Sequence, residues 1–123
     1  MTRTVLVVDD EAPIRSLLSR WLEGWGYTVR LAATAKEALE IMMAVPVDIT
    51  LIDIGLPGHD GFWLVDRVRE HWPAAAIIMA TGADETDTIV RSQRAGVVDY
   101  VLKPFGHELL RQALHRAEAA LKE

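Results

Sequence analysis

Residues 5–15 read VLVVDDEAPIR, and the order of their chemistry decides the fold. Four apolar residues, Val5 to Val8, run unbroken into Asp9 and Asp10. An apolar run without polar alternation is the mark of a parallel strand covered on both faces. Pro13 suits the first turn of a helix, where its missing N–H leaves nothing unsatisfied. Ile14, Leu17, Leu18, Trp21, Leu22 and Trp25 then recur at helical spacing, and Gly26 is a natural stop. The segment is one strand–turn–helix unit with two acids where the strand ends.

The same unit repeats along the chain. Tyr27 to Leu31 alternates apolar and polar residues, as an edge strand does. Thr34-Ala35-Lys36-Glu37 is a capping-box pattern opening a second helix, with Ala38, Leu39, Met42 and Met43 as its inner face. Ile49 to Ile52 forms a third strand ending at Asp53, and a loop runs from Gly55 to Gly61. A third helix turns Leu64, Val65 and Val68 inward and ends near Trp72-Pro73. Ile77 to Ala80 is a strand ending at Thr81-Gly82, followed by a more polar helix through Thr88 and Arg94 that stops at Gly96. Val98 to Leu102 is a fifth strand ending at Lys103-Pro104. The last helix places Leu109, Leu110, Ala113, Leu114, Ala117 and Leu121 on one side. Strict alternation of β and α elements predicts a parallel sheet with right-handed crossovers. With the second strand at an edge, the expected architecture is an α/β, flavodoxin-like (βα)5 three-layer sandwich of strand order 2-1-3-4-5. A barrel needs eight such units and is excluded.

With 123 residues, the chain is expected to be a single domain spanning 1–123. A net charge of −5 argues against nucleic-acid binding, which selects basic patches, and gives no support for a membrane-surface role. The absence of cysteine rules out disulfides, a catalytic thiol and a Cys-based metal site, and fits a reducing, cytoplasmic setting. The apolar run near the N-terminus is too short for a signal-peptide core or a membrane span. Nothing within the chain reads as an effector domain, so it either stands alone or is one domain of a longer protein.

In an open α/β sheet, ligands bind beyond the carboxyl ends of the strands, at the point where the strand order reverses. Those ends carry Asp9 and Asp10, then Asp53, Thr81 and Lys103, so all five are expected in one crevice. Three crowded carboxylates repel one another, and a bound cation relieves them. Carboxylate, carbonyl and water oxygens suit a hard ion such as Mg2+, whereas zinc would call for Cys or spaced His. A metal, a lysine and a hydroxyl around a carboxylate make an environment for phosphoryl transfer, with Asp53 the nucleophile at the centre of the sheet. Each residue alone carries a blander meaning. An Asp-Asp pair before a helix is about as often only a cap. Asp60 is read as a cap, Glu11 as a helix-start acid, Trp21 and Trp25 as core or flank. His59, His71, His107 and His115 show no ligand spacing and are placed on the surface. The joint occurrence of the polar residues at successive strand ends is what favours the site.

Four segments, VLVVDDEAPIR, DITLIDIGLPGHDG, IIMATG and DYVLKPF, together make the chain resemble the response-regulator receiver family over essentially its whole length. The resemblance implies Asp53 as phosphoacceptor, Asp10 as a direct Mg2+ ligand, Asp9 as a ligand through water, and the Gly55 carbonyl as a further metal ligand. It implies Thr81 and Lys103 as partners of the phosphoryl oxygens, Tyr100 as an aromatic switch, and a cis bond before Pro104. The implied phosphodonor is a sensor histidine kinase or histidine phosphotransfer protein. Output would pass through the face of the fourth helix, fifth strand and fifth helix to a partner or effector domain. Gly55 and Ala83 would flank the path of the hydrolytic water. Val97-Val98 depart from the acidic pattern found before the aromatic in many DNA-binding members. Two alternatives remain. A haloacid-dehalogenase-type phosphohydrolase would need its second acid two residues after a strand-one nucleophile, and here Asp9 and Asp10 are adjacent. A degenerate receiver that only binds partners would lack part of the acid set.

Overall fold

A computed structural model describes residues 2–82, 91 and 95–121. The expected fourth helix, with Thr88 and Arg94, and the expected water-path residue Ala83 lie outside the described residues. Five strands, β1 (Thr4–Val8), β2 (Thr28–Ala32), β3 (Ile49–Asp53), β4 (Ala76–Thr81) and β5 (Asp99–Leu102), form one parallel sheet in the order β2-β1-β3-β4-β5. This is the expected flavodoxin-like order. β3 and β4 are buried at every position and β1 at all but Thr4, which is why they read as unbroken apolar runs. β2 and β5 lie at the edges and are only partly covered.

Side chains alternate across the sheet, so each strand feeds two cores. On one side Leu6, Val8, Ile52, Ile77 and Met79 meet α2 (Ala35–Ala44) and α3 (Gly61–His71). On the other, Val5, Val7, Leu51, Ile78 and Val101 meet α1 (Ala12–Gly24) and the C-terminal helix (His107–Leu121). The capping box at α2 forms with a shifted partner. Thr34 Oγ1 accepts from the Glu37 N–H at 3.1 Å, while the Glu37 carboxylate accepts from the Ala33 N–H at 2.7 Å. Asp60 caps α3, its Oδ1 accepting from the Trp63 N–H at 2.9 Å, as its sequence position suggested. Two expected core residues are corrected. Met43 is 79% exposed and Leu109 51% exposed. Each sits one residue from a buried neighbour, Met42 or Leu110, and one residue turns a helix by about 100°, far enough to leave a narrow buried stripe. Among the described residues no helix is long and apolar enough to cross a membrane.

The C-terminal helix is clamped to the start of β2. The Tyr27 hydroxyl donates to Glu118 at 2.7 Å, across 91 residues of sequence. Burial, then the Glu118 hydrogen bond and its charge, push the Tyr27 phenol well above its ordinary 10.0, while the charges of Arg111 and Arg3 oppose the shift. A raised pKa means that the folded state holds this proton more tightly than the unfolded chain. The associated stability is therefore complete below about pH 10 and is lost as pH rises above it. Urea unfolding between about pH 8 and 11 should show the wild type losing stability more steeply than Tyr27→Phe at the alkaline end. Parallel pH curves for the two proteins would remove Tyr27 as the source.

Candidate functional site

The site lies where β1, β3, β4 and β5 end. Asp9 follows β1, its own N–H bonded to the carbonyl of Ala32, the last residue of β2. Asp53 closes β3 and pairs with Ala80, while the next residue, Ile54, donates its N–H to Ala80 O at 3.0 Å. Thr81 closes β4, and its carbonyl accepts from the Lys103 N–H at 2.6 Å. These backbone bonds extend the sheet one residue past its strands and set the side chains around a single crevice. The peptide bond between Lys103 and Pro104 is cis.

Asp9 and Asp53 are almost fully buried, at 2% and 8% exposure, whereas Asp10 is exposed. Oxygen atoms of Asp9, Asp10 and Asp53 all lie within 4.8 Å of one another, a spacing that can hold a metal ion. The donor set is carboxylate oxygen alone, which fits a hard dication and offers nothing to a thiophilic one. Lys103 reaches into this cluster. Its Nζ lies 2.8 Å from Asp9 Oδ2 and 3.2 Å from Asp53 Oδ2. Burial works against the ammonium, but the Asp9 hydrogen bond and the charges of both aspartates outweigh it and raise its pKa. Lys103 is therefore a cation over the neutral range, and among the described residues it is the ion-pair partner of Asp9 and Asp53.

The choice between a helix cap and a site residue for Asp9 dissolves in the geometry. Its Oδ1 accepts from the Glu11 N–H at 2.9 Å at the start of α1, while its Oδ2 takes Lys103. Glu11, the N-cap residue itself, makes no side-chain cap bond. Arg15 adds a contact that spacing alone did not reveal, donating from its Nη1 to Asp9 O at 2.8 Å and fixing the acidic turn from behind. Its only sequence signal is its place in the first full turn of α1. Gly55 is exposed and donates its N–H to Asp53 Oδ1 at 3.1 Å.

Thr81 is buried, at 3% exposure. Tyr100 is half-buried and pairs in register with Met79, two residues before Thr81. Because strand side chains alternate, Met79, Thr81 and Tyr100 share one face of the sheet, the face covered by α2 and α3. Val98 is half-buried against the opposite core. The histidines bear out the surface reading. His59 stacks on Trp63 at 3.8 Å, His71 meets Trp72 edge-on, and His107 meets Trp21 edge-on. Trp21 and Trp25 pack at the flank of the core, as expected.

Residues 5–115 match the response regulator receiver domain family. The transcriptional regulatory protein ZraR of Salmonella typhimurium is 32% identical over 119 residues, which are 97% of this chain and 27% of that protein. The CheY-like response regulator receiver domain protein of Methanospirillum hungatei superposes with a TM-score of 0.91 at 31% identity, covering 99% of this chain and 98% of that one. The signal receiver domain of an HD domain-containing protein from Pseudomonas fluorescens gives a TM-score of 0.93 at 28% identity, with both chains covered completely. The chain spans about a quarter of the length of the curated relatives it matches first. Strand order, strand-end acids and family match agree, and the chain belongs to the response regulator receiver domain family.

Proposed function

We propose that residues 1–123 act as one phosphorylation-controlled receiver domain, in which Asp53 accepts a phosphoryl group from a phosphohistidine of a sensor histidine kinase or histidine phosphotransfer protein. The observation that carries this reading is the Lys103 ammonium set between Asp9 and Asp53, at 2.8 and 3.2 Å, beside a third carboxylate. In the transfer, the P–N bond to the donor imidazole breaks and a P–O bond to an Asp53 carboxylate oxygen forms. The imidazole nitrogen keeps the electron pair of the broken bond. Asp10 and Asp53 would hold Mg2+ with the Gly55 carbonyl, and Asp9 would act through water. A dication there neutralises the charge of the phosphoryl oxygens. Lys103 and the Thr81 hydroxyl take the remaining phosphoryl oxygens. Such catalysis is positioning and electrostatics rather than covalent work by additional groups. A groove of about 400 Å3 lined in part by Ile14, Leu18, Trp21, Lys103 and Phe105 opens beside the acids and gives a donor helix room to approach.

Phosphorylation adds up to about two negative charges and strong acceptor oxygens. Thr81 is drawn toward them, and Tyr100, on the same face one strand away, moves into the space released. The surface of β5 and its flanking helices then changes for an output partner or effector domain. The chemistry belongs to a signalling module located in the cytoplasm, with self-phosphorylation and autodephosphorylation as its own reactions. The domain itself does not contact nucleic acid or membrane.

Incubation with acetyl phosphate and Mg2+ should add one phosphate, mapped to Asp53 by peptide mass spectrometry and missing from Asp53→Asn. A phosphate mapped to another residue, or none on the wild type, would falsify the assignment.

A further inference from the structure

Gly61 opens α3, is buried, and touches the backbone of the residue assigned above as phosphoacceptor. A Cβ at Gly61 would stand 2.5 Å from the carbonyl oxygen of Asp53, 2.7 Å from Ile54 Cα and 3.1 Å from the Asp53 carbonyl carbon. Real Cβ atoms essentially never approach other heavy atoms closer than 3.0 Å, and none of these atoms is the end of a side chain that could swing away. Gly61 is also not among the glycines with positive φ, which are Gly26, Gly58 and Gly96. Its backbone conformation is open to any residue, so close approach alone demands glycine. The approach is bonded as well as tight, because the Gly61 N–H donates to Ile54 O at 3.0 Å and closes the loop on itself.

We infer that Gly61 is a positioning residue for phosphoryl transfer: its missing side chain lets the first turn of α3 rest directly against the Asp53–Ile54 peptide and hold the Asp53 carboxylate in place. The inference rests on the reading of Asp53 as phosphoacceptor. The anchoring of the two bodies tells which one yields when a Cβ is inserted. α3 is fixed by Phe62, Leu64, Val65 and Val68, all buried, and by the Asp60 cap. β3 is fixed along its length, but its ladder ends at Asp53, and past it the Ile54 N–H bond to Ala80 O is the last tie to β4. The displacement therefore falls on the Asp53–Ile54 peptide. Turning that peptide swings the Asp53 side chain away from Lys103 and from the other two carboxylates. Gly55 makes a useful contrast, since a Cβ there would meet Asp53 Oδ1 at an ordinary 3.8 Å.

The test compares Gly61→Ala with Val68→Ala, which leaves a cavity in the same helix away from the site. Three quantities are measured on each: thermal stability, Mg2+ affinity by calorimetry, and the rate of phosphorylation by acetyl phosphate. Misplacing a reacting group by about 1 Å costs on the order of 100-fold in rate. Gly61→Ala should show a loss of about that size together with weakened Mg2+ binding. Val68→Ala should lose stability but keep both properties near wild type. Equal behaviour of the two variants in rate and metal affinity would overturn the inference. If Gly61→Ala unfolds at room temperature, the measurements are made in the cold with trimethylamine N-oxide, which favours the compact state. A variant that stays unfolded even there also overturns it, because the strain would then not be local to Asp53. A wild type that takes no phosphate on Asp53 removes the functional reading, and the Mg2+ affinities of the two variants still decide the role of Gly61.

Discussion

Replacing Lys103 with alanine should move metal affinity and phosphoryl transfer in opposite directions. The ammonium lies 2.8 Å from Asp9 Oδ2 and 3.2 Å from Asp53 Oδ2, so it partly neutralises the cluster that a dication would enter. A dication arriving there meets a fixed like charge and must compete for the carboxylate oxygens that the ammonium holds. Removing the ammonium relieves both costs. A unit charge a few ångströms away acts at an effective dielectric near 20 in such a site, and a net effect of about 1.4 kcal/mol corresponds to Mg2+ binding about tenfold tighter. The same substitution removes the donor assigned to a phosphoryl oxygen. Loss of one well-placed donor to a developing oxyanion costs on the order of 100-fold or more, so phosphorylation at saturating Mg2+ should slow by about that factor. Because the aspartates raise the Lys103 pKa, both effects should persist unchanged across neutral pH. Lys103→Arg keeps the charge but presents a planar fork in place of a compact ammonium, and it should bind Mg2+ as weakly as wild type while transferring slowly. Calorimetry and timed mass spectrometry read the two quantities separately. Weaker Mg2+ binding by Lys103→Ala would show that the ammonium assists the metal rather than opposing it.

The parts of this site that were legible in the sequence are those set by strand ends. β1, β3 and β4 are buried on both faces, so they stand out as apolar runs, and the polar residue that stops each run is at the C-terminal edge of the sheet. Parallel topology then brings Asp9, Asp53 and Lys103 together whatever the details of the helices. Helix faces were less legible. Met43 and Leu109 satisfy helical spacing as well as their buried neighbours do, and only the width of the contact with the sheet excludes them. The finest features were not legible at all. That Asp9 accepts from the Glu11 N–H with one oxygen and holds Lys103 with the other depends on the Lys103 side chain reaching from the end of β5 past β4 and β3 to a residue 94 positions away in sequence. The need for glycine at position 61 depends on how closely α3 abuts the end of β3, a distance that neither element encodes alone.

Asp10→Asn should reverse its stability ranking against wild type when Mg2+ is added. Three carboxylates with oxygens within 4.8 Å share one ammonium, and that ammonium is bonded to Asp9 and Asp53 rather than Asp10. Without a metal, Asp10 is thus, among the described residues, the acid of the three whose charge is least compensated. Asparagine keeps its shape and removes the charge. Asp10 is exposed, so the repulsion is screened and the gain is small, about 2–4 °C in Tm in EDTA at low salt. High sodium chloride should shrink it further. With Mg2+ at about 100 times its dissociation constant, the folded wild type gains about 2.7 kcal/mol by mass action, or roughly 10 °C for a domain of this size. The asparagine variant has lost a charged ligand, binds Mg2+ more weakly and gains little of this. The curves should therefore cross, with the variant more stable in EDTA and the wild type more stable in Mg2+. Differential scanning calorimetry in the two buffers measures both effects. Equal Mg2+-induced shifts in the two proteins would remove Asp10 from the metal shell, and a wild type already the more stable in EDTA would show that the acids do not repel one another enough to matter.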